Sequence, residues 1–195
     1  MAYPFIVLEG IDGCGKTTQA DELLKLLKRR RQPALMHKYP TAEAKAVKEY
    51  LHHERKLEGD ALFKAFVDDL QTHQAKLIQD RQKGWVVSDR YCISTAAYQG
   101  VDGKLESRIE QLEKYEWVKP DLVLWLDLPV EEAMRHKSAQ KDPDRHEADR
   151  AFLESVRINF DSLYRRHFMC SKYVRIDASQ EPKDVAADIR ASIEF

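Results

Sequence analysis

Residues 10–17 read Gly-Ile-Asp-Gly-Cys-Gly-Lys-Thr, a complete G-x-x-x-x-G-K-[ST] octet, and it dictates what the chain on either side must be. Before it, Phe5-Ile6-Val7-Leu8 is a short apolar run of β-formers. After it, Ala20, Leu23, Leu24 and Leu27 recur at helical spacing between Thr18 and Arg30. A strand that enters a glycine turn and leaves it as a helix makes an anion site. The glycines let the backbone curl around a phosphate, the amide N–H groups and the helix dipole face it, and Lys16 adds a charge. Gly10, Asp12, Gly13, Cys14, Gly15, Lys16, Thr17 and Thr18 are therefore expected around a nucleotide phosphate. The Thr17 hydroxyl is placed to ligate Mg²⁺.

Strand-like and helix-like pieces alternate through the 195 residues, with no repeat or linker. That pattern predicts one α/β domain over residues 1–195, a five-stranded parallel sheet covered on both faces. Strands are expected at 5–9, 34–38, 85–87, 122–126 and 173–177. Helices are expected at 18–30, 43–53, 60–83, 105–117, 130–137, 148–168 and 182–193. The long helix at 60–83 is assigned an apolar face of Leu62, Phe66, Leu70, Leu77 and Ile78. Residues 138–146 are polar, contain Pro143 and read as a surface loop. Open parallel sheets bind ligands at the carboxyl ends of their strands. The strand ends here carry Glu9 through Thr17, Tyr39-Pro40-Thr41, Ser88-Asp89-Arg90-Tyr91, Asp127 and Asp177, which predicts a single cleft.

Composition narrows the classes. The net charge is −1, so no overall basic field attracts nucleic acid. The run Lys28 to Arg31 closes a helix, where cations suit the dipole. No apolar stretch is long enough for a membrane span, and the Phe5–Leu8 run is too short for a signal peptide. Cys14, Cys92 and Cys170 show neither metal spacing nor even pairing, which points to a reducing compartment and a cytoplasmic location. Cys14, inside an electropositive loop, is either a reactive thiol or a small residue that fits there. The seven histidines form no zinc pattern.

The residues Phe5-Ile6-Val7-Leu8-Glu9-Gly10-Ile11-Asp12-Gly13-Cys14-Gly15-Lys16-Thr17-Thr18-Gln19, then Ser88-Asp89-Arg90-Tyr91 and Ser94-Thr95-Ala96-Ala97-Tyr98-Gln99-Gly100, resemble the thymidylate kinase family. Pro120 to Pro129 is similar to that family's fourth strand, and Asp144-Arg145-His146-Glu147 with Phe152, Val156 and Arg157 to its lid region. The resemblance implies a P-loop NTPase three-layer sandwich with a short lid at about 138–147. It implies transfer of a phosphoryl group from ATP to dTMP with Mg²⁺, and a homodimer. The loop interior Ile11-Asp12-Gly13-Cys14 carries no base, so the catalytic arginine is expected at Arg145 in the lid, as in the bacterial and archaeal type. Lys137 and Lys141 are further lid cations.

By the same resemblance, Lys16 bridges the β- and γ-phosphates of ATP and Arg135 lies against adenine. Arg90 clamps the acceptor phosphate, and Asp89 orients Arg90, holds a Mg²⁺-bound water or polarises the acceptor. Asp12 accepts from the sugar 3′-hydroxyl. Phe66 stacks on the base, with Ser94, Thr95 and Gln99 near it, and Tyr98 disfavours a ribose 2′-hydroxyl. Glu9, Tyr39 and Pro40 complete the acceptor site, with Glu9 a candidate for a metal-bound water. Two positions depart from the family. Leu70 stands where an arginine usually bonds the base edge, and Ala42 where another approaches the acceptor phosphate, leaving Lys38 or Lys45 to compensate. These departures keep two other readings open: a kinase for a different nucleoside monophosphate or a nucleoside, and a non-catalytic nucleotide-binding protein.

Overall fold

The structure is a computed structural model and describes residues 2–138 and 149–193. Strands β1 (Phe5–Glu9), β2 (Ala34–Lys38), β3 (Trp85–Asp89), β4 (Leu122–Asp127) and β5 (Tyr173–Asp177) form one sheet in the order β2-β3-β1-β4-β5. All the pairings are parallel, and Val7 lies between Ser88 of β3 and Val123 of β4. β1, β3 and β4 are buried along their whole length. Their unbroken Phe, Ile, Val, Leu and Trp runs fit a sheet covered on both faces.

The helices are α1 (Lys16–Arg29), α2 (Lys45–Leu51), α3 (Gly59–Thr72), α4 (Gln74–Lys83), α5 (Cys92–Gln99), α6 (Leu105–Leu112), α7 (Val130–Ser138), α8 (Arg150–Arg165) and α9 (Pro182–Ser192). α1 packs with α9 and against β1, β2 and β3, while α5 packs with α3, α6 and α8. The expected α/β sheet is present, with β3 reaching two residues further than the sequence pattern suggests.

Three helices differ from expectation for local reasons. The helix expected at 60–83 breaks at His73. There the Thr72 hydroxyl and His73 Nδ1 bond the carbonyls of Asp68 and Asp69 at 2.7 and 2.8 Å, competing with the main-chain ladder. The break turns Ile78 to solvent, 51% exposed, and Phe66 stays only half-buried. Phe63 and Val67 join Leu62 and Leu70 in the core instead. The helix expected to reach 117 stops at Leu112, where Trp117 Nε1 folds back and donates to the Leu112 carbonyl at 2.7 Å. α5 has no sequence signature. Six of its eight residues are buried, so it shows no amphipathic period.

Candidate functional site

The phosphate loop leaves β1 and turns into α1 through Gly15, at φ 89°. No side chain caps this helix and its first turn holds no acidic residue, so the first amides are left for an anion. Gly13 is required by contact as well as by its φ of 84°: an added Cβ would lie 2.6 Å from the Ala133 carbonyl of α7. His136, one turn on, reaches the same place, its Nδ1 3.0 Å from the Gly13 carbonyl. Lys16 curls back over the loop and donates to the carbonyls of Gly10 and Ile11 at 3.0 and 2.8 Å. Cys14 is buried with its Sγ 3.6 Å from Lys16 Nζ. Burial pushes its thiol above the ordinary range, against the pull of Lys16 and Arg90. Its burial fits the reading of a small residue packed in the loop.

β3 delivers Asp89 and Arg90 beside this loop. Thr17 Oγ1 donates to Asp89 Oδ2 at 2.7 Å. Burial pushes Asp89 up, but Lys16, Arg90, the Thr17 hydroxyl and Lys38 outweigh it and hold the carboxyl below its usual range. Arg90 turns out of the strand at φ 72°, a left-handed conformation that costs a non-glycine residue about 1–2 kcal/mol. The turn sends its guanidinium across Gly10. Nη2 donates to Asp12 Oδ1 at 2.5 Å, and Nη1 donates to Ser94 Oγ at 2.9 Å and the Gly10 carbonyl at 3.3 Å. Tyr98 donates to Asp12 Oδ2 at 2.7 Å and accepts from the Asp12 amide at 3.0 Å. Its ring packs near Phe152 and Phe160.

Behind this chain of bonds lies Glu9, fully buried. It accepts from the amides of Tyr91 at 2.9 Å and Ser94 at 3.2 Å, and from the Ser94 hydroxyl. Glu9 thus fixes the N-terminus of α5, which carries Ser94, Thr95, Tyr98 and Gln99. Burial raises its carboxyl to about 7, against Ser94, Arg90 and Lys16. It does not line the cleft, so the sequence-based roles of substrate contact and metal-water ligand give way to an anchoring one.

These elements border one cleft of about 780 Å³, near the upper end of the roughly 300–1,000 Å³ typical of small-molecule sites. At one end lie Tyr39, Pro40, Phe66, Leu70, Ser94, Thr95, Tyr98 and Gln99; in the middle lie Asp12 through Thr18, Lys38, Asp89 and Arg90. Past the phosphate loop it is lined by Gln19, His136 and Ala178 through Pro182. The last group has little sequence signal: Ser179-Gln180-Glu181-Pro182 reads as an ordinary turn before a helix. Asp177 closes that turn on itself, accepting from the Ser179 amide and hydroxyl at 3.0 and 2.6 Å.

Several expected residues lie elsewhere. Asp127 faces away from the cleft and holds Arg157 and Arg175, joining β4, α8 and β5. Arg135 is exposed and does not line the cleft; its neighbour His136 does. Gly10 contributes its carbonyl to Lys16 and Arg90 rather than a cleft wall. Arg145, Lys141 and nearly all of the expected lid, as well as the Lys137 side chain, lie outside the described residues. Oxygen donors suited to a hard cation are present: the Thr17 hydroxyl and the ionised Asp89 carboxylate, side by side at the loop. Among the described residues no cluster of three or more His, Cys, Asp or Glu could hold a metal, and no helix is long and apolar enough to cross a membrane.

The family model described as thymidylate kinase matches residues 8–189. A thymidylate kinase of Parasynechococcus marenigrum (strain WH8102) is 36% identical over 202 residues, covering 95% of this chain and 94% of that protein. One of Synechococcus sp. (strain CC9605) is 36% identical and covers 100% and 96%; one of Cupriavidus pinatubonensis is 32% identical and covers 99% and 98%. The fold also matches the solved structure of thymidylate kinase from Candida albicans, with a TM-score of 0.80 over 97% of this chain and 90% of that one, at 22% identity.

Proposed function

The chain belongs to the thymidylate kinase family, and from that premise we infer that it phosphorylates dTMP to dTDP with ATP as donor. The observation that carries the reading is the single cleft in which the phosphate loop separates an aromatic-walled end from a second end after β5. One cleft of about 780 Å³ that runs to both sides of the phosphate loop suits transfer between two nucleotides better than hydrolysis of one.

The residues divide the work as follows. The loop amides and Lys16 hold the β- and γ-phosphates of ATP, whose base occupies the end lined by Gln19 and Ala178 to Pro182. The acceptor lies at the other end, its base against Phe66 and its sugar against Asp12 and Tyr98. The Arg90 fork matches the acceptor phosphate bidentately. A phosphate oxygen of dTMP attacks the γ-phosphorus as the bond to the β–γ bridging oxygen breaks, and ADP leaves with that electron pair. A phosphate monoester with a second pKa of about 6 is already a dianion at neutral pH, so the step needs no general base. Alignment and charge neutralisation remain for the protein to supply. Thr17 and Asp89 would hold a Mg²⁺ ion, directly or through water. When bound, it neutralises charge on the β- and γ-oxygens. Arg145, by resemblance, stabilises the transferred group. The whole chain acts as one domain with its lid at about 138–147, and a homodimer is expected by resemblance alone.

Leu70 favours no other acceptor on its own. It is buried beside Phe66 and contributes apolar wall, which a thymine methyl group suits. The test is ADP release with ATP, Mg²⁺ and dTMP, dUMP, dCMP or thymidine at equal concentration. The reading expects clear preference for dTMP. Comparable turnover with every acceptor, or none with dTMP, overturns it.

A further inference from the structure

We propose that Asp69 is a positioning residue for the acceptor: its carboxylate ties the loop after β2 to α3 and so holds two walls of the acceptor end together. The inference rests on the reading of that end of the cleft as the dTMP site.

The two walls come from separate elements. Tyr39 and Pro40, leaving β2, form one, and Phe66, Asp69 and Leu70, at helical spacing on α3, form the other. The pairing of β2 with β3 ends at Lys38, and the Tyr39 amide still bonds the Asp89 carbonyl at 3.1 Å. From Pro40 the chain leaves the sheet for α2, which starts at Lys45 without a side-chain cap.

Asp69 spans the gap. Its Oδ2 accepts from the Thr41 amide at 2.9 Å, and its Oδ1 from the Thr41 hydroxyl at 2.5 Å. The Asp69 side chain is only 4% exposed, and among the described residues no lysine or arginine pairs with it. His73, one turn on, has Nδ1 at 3.6 Å from Oδ1 and at 2.8 Å from the Asp69 carbonyl, and its ring meets Tyr39 edge-on. A buried carboxylate is costly unless its oxygens are bonded. Both oxygens take their bonds from Thr41, so a loop that parts from α3 takes both away. The neighbouring carboxylate of Asp68 is 55% exposed and pairs with Lys64 on α3 itself. Of the two, Asp69 is the one that crosses between the walls.

The experiment measures Kd for thymidine and dTMP by calorimetry, and kcat and KM for dTMP and ATP. The proteins are wild type, Thr41→Val, Thr41→Ser, Asp69→Ala, Thr41→Val with Asp69→Ala, and Asp68→Asn. Valine keeps the shape of threonine and the amide bond but removes the hydroxyl donor. Losing one hydrogen bond to a buried carboxylate biases the walls apart by about tenfold or more, and affinity falls with the fraction that stays closed. The proposal expects Thr41→Val to weaken thymidine and dTMP alike by about five- to tenfold, because base and sugar meet these walls and the phosphate does not. kcat at saturating dTMP and KM for ATP should stay within about twofold. Thr41→Ser should restore most of the affinity, and Asp68→Asn should behave as wild type. With Asp69→Ala already present, Thr41→Val should cost less than about twofold more, since its partner is gone. If the alanine variant does not fold, the valine and serine variants carry the test by themselves. Unchanged thymidine Kd despite a lower Tm, an equal rise in KM for ATP, or a full valine effect beside Asp69→Ala overturns the assignment of Asp69 alone. A wild-type protein that neither binds nor phosphorylates dTMP overturns the reading of the cleft together with the proposal.

Discussion

Arg90 does two jobs at the scale of a single residue: it holds Asp12 and Ser94 in place, and its fork is shaped for a phosphate. Lysine offers a point charge instead of a planar pair of donors. Arg90→Lys should therefore lower kcat/KM for dTMP by about a hundredfold in initial-rate assays, through lost bidentate bonding. Arg145→Ala should act differently. A residue that meets only the transition state is read in kcat, by a factor of about 10³ or more, with dTMP KM little changed. Glu9 gives a prediction about stability. Its carboxyl is raised from 4.5 to about 7. The folded state therefore keeps this proton while the unfolded chain loses it, and stability falls as pH rises from about 4.5 to 7. Glutamine can accept the same two amide bonds without the charge. Glu9→Gln should accordingly gain stability over wild type as pH rises through that window, by up to about 3 kcal/mol above pH 7, read as the difference in Tm at pH 5 and pH 8. The sequence placed Glu9 at the right strand end but could not tell which way it points. Alternation along β1 is masked because both faces are buried, and only the later Tyr91, just before α5, and Ser94 within it decide its partner.

Among the elements, those with a strong local pattern were readable and those defined by their neighbours were not. The strand–loop–helix unit follows from the octet alone, because glycine spacing and the apolar run before it are one local signal. α5 is set instead by Glu9 from β1 and by its neighbours α3, α6 and α8. The break at His73 depends on side chains that take main-chain acceptors, which a periodicity does not register. The contact between α7 and the phosphate loop was equally invisible, yet it ties the helix leading to residue 139 to the nucleotide site. Gly13→Ala tests that coupling. Its Cβ meets the Ala133 carbonyl at 2.6 Å, and its φ suits no L side chain. The variant should lose about 1–3 kcal/mol of stability in denaturant unfolding and raise ATP KM more than dTMP KM, since the displaced wall belongs to the donor side.

For the whole molecule, the feature that matters is one cleft crossing four of the five strand ends, with the proposed donor and acceptor regions on different elements. Each ligand should therefore stabilise the fold independently. ATP or dTMP at a hundred times its Kd adds about 2.7 kcal/mol, a rise of about 5–11 °C in Tm for a chain of this size by scanning calorimetry. An analogue joining both nucleosides through a polyphosphate should exceed either. The parallel sheet and the site's place at its carboxyl ends were legible because strands and helices alternate and open parallel sheets bind ligands at that edge, whereas the strand order is set by long-range pairing that no local pattern carries. The residues after β5 were not legible, because a short polar turn before a helix carries no pattern of its own. The order β2-β3-β1-β4-β5 also has a consequence in time. β1, made before the other strands of this sheet, ends up between β3 and β4, whose residues emerge about 80 and 115 positions later. During synthesis the nascent β1 has both edges bare and its glycine loop has no wall to rest on. The nucleotide site, whose phosphate loop lies within the first twenty residues and whose walls extend to Val185, is therefore among the last parts of the molecule to be born.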